Sequence, residues 1–205
     1  MIHRFKNFPL IYVNGFDGME VNSGGLNALH SNVAVLHENL EKRMTYVKLK
    51  ALEMLEEPLR AGQVPVRDVA VDVVNNIVNS ADRGAISLAA VHALGEPVRS
   101  GNNGVRIPAI NGIVNAVRGS HNEAAYLAAL DTLSAPLDSS ALIGGMEVRM
   151  MAVVAVERIG VDSSATAAKA RAMGLLQAYV NKGGWEPEAK RRAEEAIAAI
   201  QGTMK

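Results

Sequence analysis

The sequence contains no cysteine, which removes disulfides, thiolate metal sites and thiol nucleophiles together and is permissive for a reducing compartment. Aromatics are scarce: three phenylalanines, four tyrosines and one tryptophan, Trp185. Neither sign of charge is in excess, with 21 basic residues against 21 acidic, so no global field steers polyanions and nucleic acid is not an expected partner. A long apolar run is also missing. The stretch Met150 to Val156 would cross about a third of a bilayer core as helix, and no membrane span is expected. After Arg4 and Lys6 the apolar run Pro9 to Val13 is too short for a signal-peptide core and meets Asn14-Gly15, so no export signal is read and the cytoplasm is the default location. What is present is a chain of 205 residues, 49% hydrophobic, sized for one domain or a short repeat array with ample core.

The repeat is visible directly. Leu55-Glu56-Glu57-Pro58-Leu59-Arg60 reappears as Leu94-Gly95-Glu96-Pro97-Val98-Arg99 and as Leu133-Ser134-Ala135-Pro136-Leu137-Asp138, the prolines 39 residues apart. A fourth copy beginning at Leu176 lacks the proline and follows after 43 residues, which places a four-residue insertion in the Ser139 to Glu147 loop. A second signature keeps the same phase: Val66-Arg67 with Ala70, Val105-Arg106 with Ala109, Val148-Arg149 with Ala152, and more weakly Ala189-Lys190 with Ala193. Aligned on this phase, the first segments share an alanine column (Ala51, Ala90, Ala129, Ala172) and a leucine column four residues on (Leu55, Leu94, Leu133, Leu176). The second segments carry Ala70, Ala109, Ala152 and Ala193, followed by Val74, Ile113, Val156 and Ile197. Spacings of three and four put each set on one helical stripe, so each unit predicts a helical hairpin. A single hairpin cannot hide its stripe, whereas stacked hairpins cover one another. Pro58, Pro97 and Pro136 are expected to bend or stop the first helix, and Gly62, Gly101 and Gly183 to serve the turns.

With these motifs over roughly Glu41 to Gln201, the chain resembles the HEAT-like (armadillo-type) helical repeat family, whose units are helix pairs of about this period with Val-Arg opening the second helix. The resemblance implies an all-α fold: an α-solenoid of four helical hairpins in a right-handed, gently curved stack, preceded by an N-terminal arm and a capping helix. The divisions are an aromatic-rich arm over 1–22, a capping helix over 23–43, and hairpins over about 44–79, 83–118, 122–160 and 164–201. Where the family often has an acid six residues before the arginine, this chain has Ala61, Ser100 and Ile143.

The first 22 residues differ in kind. Phe5, Phe8, Tyr12 and Phe16 are half of the chain's aromatics, and Leu10–Val13 with Met19–Val21 could pair as a small hairpin around Asn14-Gly15. Such an arm either caps the first repeat or docks on another subunit in a homo-oligomer.

The search for chemistry is mostly negative. Gly101-Asn102-Asn103-Gly104 lacks the lysine of a phosphate loop, and His30, His37 and Glu41 offer no third metal ligand beyond a conceivable surface pair. His92 is expected to be a partly buried structural residue and His121 to serve a turn. Arg67, Arg106, Arg149 and Lys190 form a column that could meet phosphates or carboxylates; the structural reading has each bond carbonyls or acids of the adjacent unit, with Asp68 and Asp72 neutralising the first. No catalytic constellation, cofactor or metal site is read, and an enzyme acting on nucleic acid bases would need an aromatic and acidic pocket that so few aromatics do not promise.

The anomaly is the second helix of the third unit. Val154 stands where other units have Asp72, Asn111 and Glu195, and Met146, Met150, Met151 and Val153 add apolar bulk that needs covering by neighbours or offers an adaptable contact. Asn76, Asn111 and Asn115 could extend such a surface. The function expected is a non-enzymatic scaffold binding protein through its second helices. The alternative is a self-assembling coat, shell or filament subunit that uses the arm and the Met-rich patch as contacts.

Overall fold

A computed structural model describes residues 23–79, 83–100, 102–138, 145–182 and 186–204, with side chains in the first helix described at Val35, Asn39 and from Lys42 on. Among the described residues there are eight helices and no strand: α1 (Ser23–Ala61), α2 (Val64–Asn79), α3 (Arg83–Ser100), α4 (Asn103–Val117), α5 (Glu123–Asp138), α6 (Gly145–Asp162), α7 (Thr166–Asn181) and α8 (Pro187–Gly202). The chain divides into two compact units, Met1–Lys42 and Arg43–Lys205. In the first, what is described is helical backbone from Ser23 on. The aromatic arm and its candidate contacts Phe5, Phe8, Tyr12 and Phe16 lie outside the described residues, as does the small hairpin expected there.

Local chemistry sets the helix ends. Neither glycine nor proline occurs between Gly25 and Pro58, and α1 runs unbroken through Arg43 and Met44, where the sequence suggests separate elements. Pro58, Pro97 and Pro136 lie two to three residues inside the ends of α1, α3 and α5. There the missing N–H and the ring's clash with the preceding turn stop the helix without a kink in its middle. Gly62 follows α1, and a Cβ there would lie 2.3 Å from the Pro58 carbonyl oxygen, so the tight turn into α2 requires glycine. Asn102 caps α4 by accepting from the Val105 amide at 3.0 Å, and Asn122 does the same for α5 from the Ala125 amide at 3.2 Å.

The unit of residues 43–205 is held by helix packing in a regular pattern. From α2 on, helices pack with a sequence neighbour (α3 with α4, α5 with α6, α7 with α8) and also with the helix two further on: α2 with α4, α4 with α6, α6 with α8, α3 with α5, and α5 with α7. The sequence columns fall into this core. Ala90, Ala129 and Ala172 are fully buried, as are Leu94, Leu133 and Leu176, and Ala70, Ala109, Ala152 and Ala193 form a buried row on the second helices. Small residues let the backbones approach: a Cβ on Gly112 of α4 would fall 2.2 Å from the Asn75 Oδ1 of α2 and 2.8 Å from a Leu94 methyl of α3. Each buried leucine contributes about 1.5–3 kcal/mol relative to exposure. The first unit departs from the pattern, since Ala51 and Leu55 are only half-buried.

Candidate interaction surface

Three features compete as the functional surface, and the basic column is settled most fully by geometry. Arg67 donates from Nη2 to the Arg60 carbonyl at 2.5 Å and from Nη1 to the Ser100 hydroxyl at 3.4 Å; Arg106 donates from Nη2 to the Arg99 carbonyl at 2.9 Å. Each therefore ties the start of a second helix to the orphan carbonyls at the end of its own first helix, seven residues earlier, and not chiefly to the adjacent unit. Asp68 and Asp72 are not its partners. Arg106 is 3% exposed, and burial alone pulls its guanidinium below the ordinary arginine range.

Arg149 does cross to the next unit. Its Nε and Nη2 form a fork on the Glu186 carboxylate at 2.9 and 2.6 Å, just before α8, and the Tyr179 hydroxyl also reaches that carboxylate at 3.4 Å. The hydrogen bonds from Arg149 hold the Glu186 carboxyl below its usual range against the opposing effect of burial, while the same bonds raise Arg149. Burial first, then the neighbouring carboxylate, pushes the Tyr179 phenol up. An acid thus meets the arginine column after all, from a position the turn pattern does not predict. These side chains are occupied in joining helices.

The Met-rich helix α6 is largely covered. Met146 is exposed at its start, but Met150, Met151 and Val154 are half-buried, and both methionines pack against the core. Val153 is fully buried. Of the asparagines, Asn76 and Asn111 are exposed and Asn115 is half-buried. Asn75 is turned inward: its Nδ2 reaches the Pro108 carbonyl at 3.5 Å while its buried Oδ1 has no hydrogen-bond partner. His92, expected to be partly buried, is exposed, because it points off the flank of the α3 stripe; His121 lies in the loop between α4 and α5. Among the described residues no group of three metal-ligating side chains occurs, and none of their helices is long and apolar enough to cross a membrane.

Among the described residues, most of the exposed large apolar side chains lie elsewhere, on α1 and α2. Val47 and Met54, one heptad apart on α1, are 59% and 79% exposed, and Val66, Val69 and Val73 form an exposed stripe on α2. Counterparts of most of these positions are buried in later helices. Val66 is 48% exposed, whereas Val105 is 1% exposed and Val148 and Ala189 are fully buried. Val47 corresponds to Ile86, Ala125 and Ala168, Met54 to Ala93 and Thr132, and Val73 to Gly112, Ala155 and Ala196, all buried. Because Gly112 and Pro108 abut Asn75 of α2, the matching Val73 and Val69 present the side on which a preceding second helix would lie. Sequence reading missed this surface because it concentrated on departures from the repeat, and here the repeat itself is kept while its cover is not.

No family model, curated protein or solved structure matches this chain.

Proposed function

We propose that residues 44–205 form four HEAT-like hairpins stacked as an α-solenoid, and that the chain is a non-enzymatic scaffold whose business is binding protein. The alternate packing of odd- and even-numbered helices supports the stacked arrangement, because in such a stack first helices line one layer and second helices the other. The single observation that carries the binding reading is the exposed apolar stripe Val66, Val69 and Val73 on α2, with Val47 and Met54 also exposed on α1. An exposed apolar stripe marks a contact site, and solenoids ordinarily close their ends with polar faces. In this reading the docking surface is the open end of the stack, with Asn76 and Asn111 on its polar side, while Met150, Met151 and Val154 serve mainly to pack α6. The cysteine-free composition suits a reducing compartment such as the cytoplasm.

The test uses the full chain as bait in an extract of its native source, beside a Val69→Glu variant of matched helicity and melting temperature. A partner, either another protein or the chain itself, retained by the unmodified chain and lost with Val69→Glu is the expected result. Retention of nothing, together with a monomeric mass in solution, overturns the scaffold reading.

A further inference from the structure

We infer that the starts of α4 and α6 together hold a small oxyanion of the phosphate class, gripped by the Arg106 guanidinium, the Asn103 side-chain amide and the first backbone amides of α6. This site stands apart from the protein-binding reading.

Arg67, Arg106 and Arg149 occupy the same point of successive second helices and differ in what answers their charge. Arg149 meets the Glu186 carboxylate with its Nε and Nη2, at 2.9 and 2.6 Å. Arg67 is half-buried and has the Ser100 hydroxyl on Nη1 and the Arg60 carbonyl on Nη2, its Nε alone being buried without a partner. Arg106 is the extreme case. It is 3% exposed, it holds the Arg99 carbonyl at 2.9 Å, and its Nε is buried without a hydrogen-bond partner. Burial is all that perturbs this guanidinium, with no carboxylate close enough to oppose it. A buried cation without a counter-charge is costly unless something supplies one.

The third unit shows where that charge belongs. Glu186 is the N-cap residue of α8, so the carboxylate that meets Arg149 comes from the start of the following second helix. For Arg106 the following second helix is α6, which packs against α4 and opens on Gly145, a residue with no side chain. Ser139 to Gly144, joining α5 to α6, include no acid. Asp138 before them pairs with Lys182, and Glu147 after them is exposed. Gly145 has a φ of +56°, and a Cβ built on it would find, among the described residues, only the Asn103 Nδ2 within 4 Å, at 3.9 Å. Asn103 and Arg106 are three apart in the first turns of α4 and so share one side of it, the side that meets Gly145. An anion seated there stands to Arg106 as Glu186 stands to Arg149. Asn103 and the opening amides of α6, which have no acceptor within their own helix, add donors at the positive end of the helix dipole. Every group named is a donor, which suits a ligand made of acceptors.

The experiment titrates inorganic phosphate into the full chain at neutral pH, with chloride holding the ionic strength constant, and follows heat and backbone amide shifts. Expected is saturable binding that shifts the Asn103, Gly145 and Met146 amides and raises the melting temperature where chloride does not. Asn103→Asp sets a carboxylate at the rim of the site and should weaken binding by about tenfold or more. Arg106→Lys keeps the charge but loses Nε and the planar fork, and should weaken it by about tenfold. Asn111→Asp, further along α4, should leave it within about twofold. Asn103 is exposed, so its variant decides the matter even where Arg106→Lys does not fold. A response no greater than that to chloride overturns the proposal. Binding that Asn103→Asp and Asn111→Asp change alike marks an adventitious ion only and overturns it too.

Discussion

α1 and α2 carry small or apolar residues in the same sequence columns as the helices that follow them and differ in how far those residues are buried. Leu94, Leu133 and Leu176 are fully buried while Leu55, in the same column, is only half-buried; Val105 is covered and Val66 is not. Sequence periodicity specifies which side of a helix is apolar, but only a neighbour decides whether that side is buried. In the solenoid proposed above, each unit would draw stability from its intrinsic folding and from the interfaces on either side. On the reading proposed above, the first hairpin has one such interface within residues 43–205, and the later internal ones have two.

The largest effect expected from that difference is at the leucine column. Leu94→Asp should destabilise the chain by about 4 kcal/mol, because it removes a fully buried side chain and places a carboxylate among apolar neighbours. Leu55→Asp should cost clearly less, on the order of half as much, since the half-buried site can keep the carboxylate near water. Equilibrium denaturation checks both, and equal costs would erase the distinction between the two positions.

Next in size is the Arg149 to Glu186 link between α6 and the start of α8. The two side chains are 21% and 14% exposed, so breaking the pair with Glu186→Gln should cost about 2 kcal/mol, below the full penalty for a completely buried pair. The pH dependence has a definite sign. The folded Glu186 carboxyl is held below its unfolded value of ~4.3, so the stabilisation is fully present above that value and is lost as pH falls through the lower folded one. Melting curves between pH 2 and 6, roughly bracketing that window, should show a steeper acid loss for the unmodified chain than for Glu186→Gln. Parallel curves would mean that the carboxylate contributes nothing specific.

Smaller again is a test of close approach. Gly112 and Val73 occupy one column, and the glycine lies within what would be 2.2 Å of Asn75 while the valine is open to water. Gly112→Ala should destabilise by about 1 kcal/mol, the crowding of Asn75 and Leu94 outweighing the better helix propensity of alanine. Val73→Ala should change stability by less than about 0.5 kcal/mol.

Much of this array was legible in the residues. The 39-residue spacing of Pro58, Pro97 and Pro136 and the alanine and leucine columns give the ends of α1, α3 and α5 and much of the core, because small and apolar residues at helical spacing have few other uses, while the turn positions at Gly101 and Gly183 lie outside the described residues. The capture of Glu186 by Arg149 was not legible, since the acid stands 37 residues away, outside the turn where a pattern would look for it. Nor was the uncovered face. Val66 and Val105 look alike in the sequence, and exposure is set by what packs against a residue and not by the residue itself. The surplus of methionine on α6 pointed to a surface, yet covering by adjacent helices accounts for Met150, Met151 and Val154.

The smallest effect expected separates two adjacent asparagines. Asn76 is exposed on α2, and Asn76→Asp exchanges one solvated polar group for another, so it should shift stability by less than about 0.5 kcal/mol. Asn75, one residue earlier, is turned against α4, its amide reaching the Pro108 carbonyl and its oxygen buried without a partner. Asn75→Asp would remove the donor and set an acceptor, charged unless protonated, against that carbonyl, at a cost of about 1–3 kcal/mol that shrinks in acid as the carboxyl takes up a proton. The sign follows from linkage: burial raises the folded carboxyl above its unfolded value, so the variant loses stability as pH rises through the unfolded value. Two aspartates side by side on one helix, one silent and one costly and relieved by acid, would show that α2 is packed along the side facing α4 and open along the side that carries Val66, Val69 and Val73.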